Sequence, residues 1–353
     1  MRKMQNWVVQ GKRVFVGLED AKRTWKLCVH CEGMIVDETS MPAAYDNLRT
    51  YLHKRYPECE IQVMYEAGFA GFWLYDRLVE DGIGCIVTPP HTVTQRKVNK
   101  VKTDKIDARR LAKTLEAGDY QACCVPDREL REDRQISRTV TQMQRNIVAV
   151  KNRIRRFLDF HGLNGDLPAG KWSQSAYASL KVLTLSRPLQ VSLNALLRLL
   201  DELEAIKAEL VAELGGLCEK ERYRRHVEIK QSCPGVGWLS AIRFTLEWGN
   251  LTRFGSDKQM ASFTGLTCRE NSSGEEIHRG HITRQGNGQV RAWLIQCAWR
   301  AIRLDPALLT KYRSVWGNSG SKKKAIVAVA RKLAVRMRAL ELAQQSYVIG
   351  VVR

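Results

Sequence analysis

Hydrophobic and polar positions in the first ninety residues alternate with the periods of strands and helices. Apolar, β-branched runs between polar turns predict strands, and apolar residues spaced by four predict helices. The predicted segments are, in order, strands at 13–20, 25–31 and 34–39, a helix at 43–56, a strand at 60–65, a helix at 72–80 and a strand at 84–88. This order predicts an α/β domain with a mixed sheet, ending at Pro89 and Pro90.

The middle of the chain is predicted to be helical and basic. Residues 128–161 form the first helical stretch, a break with glycine and proline follows at 162–172, and residues 189–220 form a second long helix. The apolar seam of the second helix consists of Leu193, Leu196, Leu200, Leu203, Leu210, Leu214 and Leu217, with Lys207 at the one polar position. This heptad spacing favours a coiled-coil arm that dimerises the protein. The alternative is an intramolecular hairpin with the 128–161 helix.

From about residue 228 the composition becomes glycine-rich and basic, which indicates a separate compact domain that ends in a helix at 325–345. We therefore expect three parts, at 1–125, 126–227 and 228–353.

The net charge of the chain limits the classes of partner that we expect. Lysine and arginine number 57 against 37 acidic residues, which gives a net charge of +20. Such an excess attracts polyanions, so DNA, RNA or an anionic membrane face are the expected partners, and a merely basic soluble protein is the alternative. No run of about 18 apolar residues predicts a membrane span, and the N-terminus lacks the apolar core of a signal peptide. We expect a cytoplasmic protein without a membrane partner.

Ten cysteines are scattered along the chain, as expected for thiols in a reducing compartment. Cys28 and Cys31 have the CxxC spacing of a zinc site, but they fall in a predicted strand, where positions three apart face opposite sides. The position of both cysteines in a strand therefore favours buried thiols over a metal site.

Acidic residues occur where a metal-dependent phosphoryl-transfer site would need them. Mg²⁺ prefers oxygen ligands, and two such ions about 4 Å apart can activate an attacking oxygen and stabilise a leaving one. Glu19 and Asp20 end the first predicted strand, and Glu66 ends a later one. Asp104 and Asp107 share one face of a helix that Thr103 can cap. Each acid alone could be an ordinary surface residue, but their joint arrangement beside the basic segment 96–102 predicts a metal site.

Seven ordered blocks of the sequence resemble the DEDD transposases of the insertion sequence 110/1111 family. Three carry the acids and four lie in the second half, where a PGVG element resembles a helix–hairpin–helix turn. The blocks are residues 16–22, 65–68, 102–108, 233–237, 261–267, 271–274 and 282–287. The resemblance covers nearly the whole chain. The strand and helix order also fits a ribonuclease H-like core, although periodicity alone does not select it.

The resemblance implies an α/β RuvC-like N-terminal domain, a helical coiled-coil linker and a mostly α C-terminal transposase domain with a catalytic serine. It implies that Glu19, Glu66, Asp104 and Asp107 are catalytic and bind Mg²⁺. The implied partners are donor and target DNA duplexes and a guide RNA, called bridge RNA, that pairs with both. The implied assembly is a dimer that forms a tetramer.

The chain departs from the family at the first acid, which is usually aspartate. Alignment on Gly17 and Leu18 puts Glu19 at that position, followed by Asp20. Neighbours on a strand face opposite sides, so only one of the two can enter the site. We choose Glu19, whose longer side chain can still reach a metal, and Asp20 stays the alternative.

The implied serine lies in a Ser-Ser-Gly turn, and the residue before Gly274 is Ser273, which we choose over Ser272. A serine hydroxyl needs a base or a metal to become a nucleophile, and arginines can offset the charge of a transferring phosphoryl group. The arginines nearest in sequence are Arg269, Arg279, Arg284 and Arg291. Basic segments 96–102, 145–156 and 322–324 are candidates for phosphate contacts.

The resemblance thus implies an RNA-guided DNA recombinase with a serine nucleophile and an acidic metal site. Two other functions remain open at this point. One is a hydrolytic RuvC-like nuclease in which water is the nucleophile, and the other is a non-enzymatic RNA-binding protein.

Overall fold

A computed structural model describes residues 9–90, 103–163, 172–270 and 279–350. The chain forms two compact units, Met1–Val125 and Pro126–Arg353. The first unit is mixed α/β and the second is mostly helical, as the sequence predicts. The finer division into three parts stays a prediction. One helix of the second unit, Glu221–Gln231, crosses the expected boundary at residue 228.

The first unit is built on a five-stranded sheet with the order β3-β2-β1-β4-β5. Strands β1 to β3 are antiparallel neighbours, whereas β4 and β5 run parallel to β1. The elements are β1 Arg13–Asp20, β2 Thr24–Cys31, β3 Met34–Pro42, α1 Tyr45–Arg55, β4 Glu60–Glu66, α2 Trp73–Glu80, β5 Gly84–Thr88 and α3 Asp104–Ala117. All seven segments predicted before residue 90 are confirmed. The largest difference is at β3, which pairs with β2 as far as Pro42.

The two faces of the sheet carry different helices. On one face, Val14, Val16 and Leu18 of β1 belong to the main hydrophobic core of the unit, which also contains the buried leucines of α1 and α2. On the opposite face, α3 packs over β1, β2 and β4. Alternation along each strand therefore decides which side chains meet α3.

Gly17 permits the close approach of α3 to the sheet. A Cβ atom at this position would lie 2.1 Å from the carbonyl oxygen of Ala108 and 2.4 Å from the backbone nitrogen of Ala112. No side chain fits there, because both neighbouring atoms belong to helix backbone rather than to a flexible side chain. The small residues Ala108 and Ala112, with Cys28 of β2, complete this contact.

We predict that Gly17→Ala destabilises the protein by about 3 kcal/mol, because α3 must move away from β1 to admit the methyl group. Urea unfolding measures the change. Gly68→Ala is the control, since a Cβ there meets only the carbonyl oxygen of Glu66 at 3.7 Å. Equal stability of the two variants would contradict the proposed packing.

The second unit begins with two long helices, α4 Arg128–Phe160 and α6 Arg187–Glu219, with the short α5 Gln174–Val182 between them. α4 and α6 pack along their lengths as an antiparallel pair. Lys151 Nζ lies 2.6 Å from Glu204 Oε1, and Lys207 Nζ donates to Gln144 Oε1 at 2.6 Å. Lys207, the polar position of the leucine seam, is therefore satisfied within the chain.

The leucine seam of α6 packs against α4 of the same chain. Leu193 and Leu200 are buried in one cluster with Ile154 and Leu158 of α4, and Leu196 and Leu203 are partly buried against it. Leu214 and Leu217 are buried in the larger C-terminal core. The preference for a dimerising arm was thus based on positions that the intramolecular hairpin already covers, and the structure supports the hairpin alternative.

We predict that Leu200→Ala costs about 2–5 kcal/mol of stability, because it leaves a cavity between α4 and α6. Leu199→Ala is the matched control. It changes the same residue type one position away, where the side chain is 42% exposed against 1% for Leu200. Thermal and urea unfolding compare the two, and an equal or larger loss for Leu199→Ala would contradict the packing of Leu200 against α4.

The rest of the second unit is a helical domain with one small hairpin. Its elements are α7 Glu221–Gln231, α8 Trp238–Trp248, a 3-10 turn Leu251–Arg253, α9 Asp257–Phe263, β6 Cys268–Glu270, β7 Arg279–Ile282, α10 Gly288–Leu304, α11 Pro306–Ser319 and α12 Lys322–Leu342. α12 starts three residues before the predicted helix, because Ser321 accepts a hydrogen bond from the backbone nitrogen of Lys324. The basic run 322–324 is therefore the first turn of a helix.

Two further expectations concern the thiols and the membrane. Cys28 faces α3, whereas Cys31 belongs to the core on the other side of the sheet, as strand geometry predicts. All ten cysteines are free thiols. Among the described residues, no helix combines the length and the apolar character that a bilayer span requires.

Candidate functional site

The ends of β1 and β4 bring two acids to the face that α3 covers. Leu18 pairs with Tyr65 in the parallel register, so Glu19 and Glu66 follow one step further along both strands. Each is offset by an even number from a residue that contacts α3, Gly17 on β1 and Met64 on β4. The two glutamates therefore lie on the α3 face at neighbouring strand ends.

Asp20 lies on the opposite face from Glu19. Its Oδ2 accepts a hydrogen bond of 2.7 Å from the backbone nitrogen of Ala70, in the segment that follows β4. This contact stabilises the loop before α2. The geometry thus favours Glu19 over Asp20 as the member of the acidic site, as strand alternation predicts.

The other two acids stand in the first turn of α3. Thr103 caps this helix, and its side chain accepts a hydrogen bond from the backbone nitrogen of Ile106. Asp104 is exposed, whereas Asp107 is turned towards the sheet and only 3% exposed. Acidic residues at this end of a helix are favoured by the helix dipole.

The four acids interact electrostatically. The pKa of Glu19 is raised to about 7, first by burial and then by the negative charges of Asp107 and Glu66, with smaller contributions from Asp20 and Asp104. Like charges that face each other across a partly dry site disfavour ionisation. The cluster therefore contains more negative charge than its surroundings neutralise.

Arg110 is the cation within this cluster, and sequence reasoning missed it. One Nη2 atom lies 3.0 Å from Asp107 Oδ1 and 3.2 Å from Glu66 Oε1, so the guanidinium joins α3 to the end of β4. Its position three residues after Asp107 was the available signal, because such pairs share a helix face. Its Nε atom is buried and has no hydrogen-bond partner among the residues that the structure describes.

The donor chemistry of the cluster suits a divalent cation. Glu19, Glu66, Asp104 and Asp107 supply only carboxylate oxygens, the ligands that Mg²⁺ prefers. Among the described residues, however, no three acidic, histidine or cysteine side chains are grouped closely enough to hold an ion. With Arg110 paired to two of the four acids, the carboxylates would have to rearrange around a metal.

The proposed nucleophile and its alternative, Ser273 and Ser272, lie outside the described residues, as does the basic segment 96–102. β6 and β7, the strands before and after the 271–278 segment, form an antiparallel pair in which Cys268 is opposite Ile282.

Two glycine turns hold the base of this hairpin. Gly265 has φ +66°, and a Cβ on it would lie 2.3 Å from the carbonyl oxygen of Gln285. Gly286 has φ +104°, and its Cβ would lie 2.2 Å from the carbonyl oxygen of Phe263. Both positions need glycine for the backbone angle and for space. Arg291, one of the four arginines near the serine in sequence, donates to the carbonyl oxygen of Thr264 at 3.2 Å.

A buried carboxylate below this hairpin was also missed. Glu247 of α8 is 3% exposed and accepts hydrogen bonds from Arg138 at 2.9 and 3.2 Å and from Asn287 Nδ2 at 3.0 Å. Asn287 also caps α10. Glu247 thereby joins α4, α8 and the start of α10. Nothing in the local sequence predicts it, because its partners are 40 and 109 residues away.

The chain matches two family models, one in each half. Residues 16–162 match the DEDD model of IS110 transposases, and residues 227–313 match the transposase model of the IS116/IS110/IS902 family. These segments contain the acidic cluster and the hairpin respectively.

Individual relatives agree with the family models. The y4rJ protein of Sinorhizobium fredii, named as a transposase, is 32% identical over 300 residues, which cover 78% of this chain and 75% of the relative. The transposase of insertion sequence element IS1111A from Coxiella burnetii is 27% identical over 300 residues, 82% of this chain and 79% of the relative. For y4qE of S. fredii, also named as a transposase, identity is 30% and the match covers 67% of this chain and 57% of the relative.

These matches define the class as transposases, enzymes that cut and rejoin DNA. The chain belongs to the IS110/IS1111 family of transposases. The resemblance seen in the sequence blocks is thereby confirmed, and the mixed α/β fold of the first unit is consistent with a RuvC-like DEDD domain.

The position of Arg110 generates a prediction about divalent cations. In Arg110→Gln, the apo protein should lose about 2 kcal/mol of stability, because the carboxylates lose a charged partner. Added Mg²⁺ or Mn²⁺ should then stabilise the variant more than the wild type, since no internal cation competes for Glu66 and Asp107. Urea unfolding with and without the metal measures both effects.

Arg109→Gln is the matched control for this experiment. Arg109 is the next residue on α3, but it pairs with Glu38 at the side of the sheet. Its loss should cost less than about 1 kcal/mol and leave the metal response unchanged. If Arg110→Gln and the wild type respond equally to the metal, Arg110 does not compete for the site.

Proposed function

We propose that this chain is an RNA-guided DNA transposase of an insertion element, in which Ser273 is the nucleophile and Glu19, Glu66, Asp104 and Asp107 bind Mg²⁺. The observation that supports the metal half of this proposal is the electrostatic interaction of Glu19 with the other acids. Burial and the negative charges of Asp107 and Glu66, with smaller contributions from Asp20 and Asp104, raise the pKa of Glu19 to about 7.

The metal would supply a positive charge beside the scissile phosphate and lower the energy of the attacking and leaving oxygens. Three features of this chain position the carboxylates before an ion binds. Thr103 fixes the start of α3, Gly17 brings that helix onto β1, and Arg110 balances Glu66 and Asp107 before an ion binds. Arg110 would then leave these carboxylates and become free to pair with a phosphate oxygen.

The serine step exchanges one phosphoester bond for another, so their number stays the same. Ser273 Oγ forms a bond to phosphorus while the bond from phosphorus to one sugar oxygen breaks. The hydroxyl proton leaves the serine, and the released sugar oxygen takes up a proton. The DNA strand is then held as a phosphoserine ester. Attack by the sugar hydroxyl of another strand reverses these changes and rejoins the DNA.

The partners follow from charge and family. A net charge of +20 suits binding to two DNA duplexes and to a bridge RNA, because each phosphate that is neutralised releases counterions. Guide pairing would select the sequence, so few side chains need to read bases. Assembly of dimers into a tetramer would bring two duplexes together.

We predict that Ser273→Ala abolishes the covalent protein–DNA adduct that the wild-type protein forms with its substrate DNA in Mg²⁺. Asp107→Asn should lower adduct formation by at least about 100-fold, because it removes a metal ligand. Loss of a residue that only hydrogen-bonds a metal ligand typically lowers metal affinity or activity by about 10–100-fold. Denaturing gels with labelled DNA measure the adduct. Ser272→Ala is the matched control and should behave like the wild type.

Three results would contradict this proposal in different ways. An adduct that persists in Ser273→Ala excludes this serine. DNA cleavage by the wild type without any adduct indicates the hydrolytic nuclease, in which water attacks. Undiminished strand exchange in Asp107→Asn excludes a role for the acidic cluster in the chemistry.

A further inference from the structure

Two tryptophans and a tyrosine form an aromatic row on the surface of the second unit. Trp299 of α10 and Trp316 of α11 are 42% and 40% exposed, and Tyr312, 7% exposed, lies between them. The ring centroids are 5.9 Å apart from Trp299 to Tyr312 and 6.0 Å apart from Tyr312 to Trp316. We call these three residues, together with Lys322, the aromatic row.

The aromatic row lies in a strongly basic part of the helical domain. From Trp299 to Lys324 the sequence has seven basic residues and one acidic residue, Asp305, which is 1% exposed. The basic residues are Arg300, Arg303, Lys311, Arg313, Lys322, Lys323 and Lys324. All seven are exposed, and none forms an ion pair within the described part of the chain. Their charges are therefore available to an anionic ligand.

The first turn of α12 also favours an anionic ligand at the aromatic row. Lys322, Lys323 and Lys324 stand at the N-terminal end of the helix, where positive charge opposes the helix dipole. Lys322 Nζ lies 5.0 Å from the centre of the Trp316 ring. An arrangement that costs helix stability yet places a cation over an exposed indole favours a ligand with both a π-face and a negative charge.

Unpaired nucleotides have this combination of properties. An unstacked base can lie on an exposed indole, and its phosphate can contact a neighbouring lysine or arginine. A duplex cannot use the rings in the same way, because its bases are stacked on each other. A protein partner would need acidic groups to match seven cations, and it would not account for the similar spacing of the rings.

We propose that the aromatic row binds an unpaired DNA strand, with bases stacked on Trp299 and Trp316 and phosphates on the surrounding cations. This inference rests on the proposed function to the extent that cutting and exchanging strands exposes unpaired DNA. Binding itself needs neither the serine nor the metal, so the two proposals can fail separately.

The test uses the full-length protein and a fluorescently labelled sixteen-nucleotide oligothymidine, with a duplex of the same length as a second probe. Trp299→Leu/Trp316→Leu should weaken single-strand binding by at least about tenfold, because two stacking contacts are lost. Duplex binding should change by less than about twofold, since phosphate contacts remain. Trp299→Phe/Trp316→Phe keeps smaller rings and should recover part of the affinity.

Trp238→Leu is the matched control. Trp238 has the same 40% exposure as Trp316, but it lies at the start of α8 beside a cavity lined by Glu219, Glu228 and Arg224. Its removal should leave oligothymidine binding within about twofold of the wild type. Urea unfolding of each variant distinguishes a lost contact from a lost fold.

Several outcomes would overturn the proposal. Unchanged oligothymidine binding in the folded Leu/Leu variant excludes the row as a stacking site. An equal loss for the duplex indicates a general phosphate surface. A loss confined to an oligouridine RNA probe assigns the row to RNA instead of DNA. The test measures affinity and not strand cleavage, so failure of the serine mechanism leaves it intact.

Discussion

The contact between α3 and β1 at Gly17 is the constraint on which the acidic site depends. Helix backbone occupies the space where a side chain would stand, so α3 lies unusually close to the sheet. At this distance the first turn of α3 carries Asp104 and Asp107 over the ends of β1 and β4, where Glu19 and Glu66 emerge. A larger residue at position 17 would clash with the backbone of α3, so the helix that carries Asp104 and Asp107 would have to move relative to β1.

The acids repel one another, and the chain offsets this repulsion with Arg110. Burial and neighbouring charge raise the pKa of Glu19 to about 7, while Arg110 pairs with Glu66 and Asp107. An internal cation lets the unit fold around a surplus of carboxylates without a metal. If the cluster binds a metal ion as proposed, the ion would have to displace Arg110 from Glu66 and Asp107, so that binding would be linked to movement of one arginine side chain.

Buried charge also organises the helical unit. Glu247 joins α4, α8 and α10, and Glu341 of α12 pairs with the fully buried Lys230 of α7 and with His226. Burial alone would raise the pKa of Glu341, but the hydrogen bond from His226 and the charge of Lys230 lower it. Removing one partner of such pairs leaves a buried charge uncompensated, so these contacts fix how the helices are arranged. The exposed cations around the aromatic row contrast with them, because they have no such partners within the described residues.

The sequence by itself determined the strands and the helices of the first unit, because these depend on local periodicity and on residue types within a few positions. It also determined the face of Glu19, because strand alternation is local. Only the tertiary structure decided which helix covers the leucine seam, since a heptad pattern is the same whether its partner is α4 or another molecule. Glu247, the aromatic row and the contact of Arg110 with Glu66 likewise required the fold. In each case at least one partner lies on another element, up to 109 residues away for Glu247, and no local pattern records which distant side chain a charge or a ring will meet.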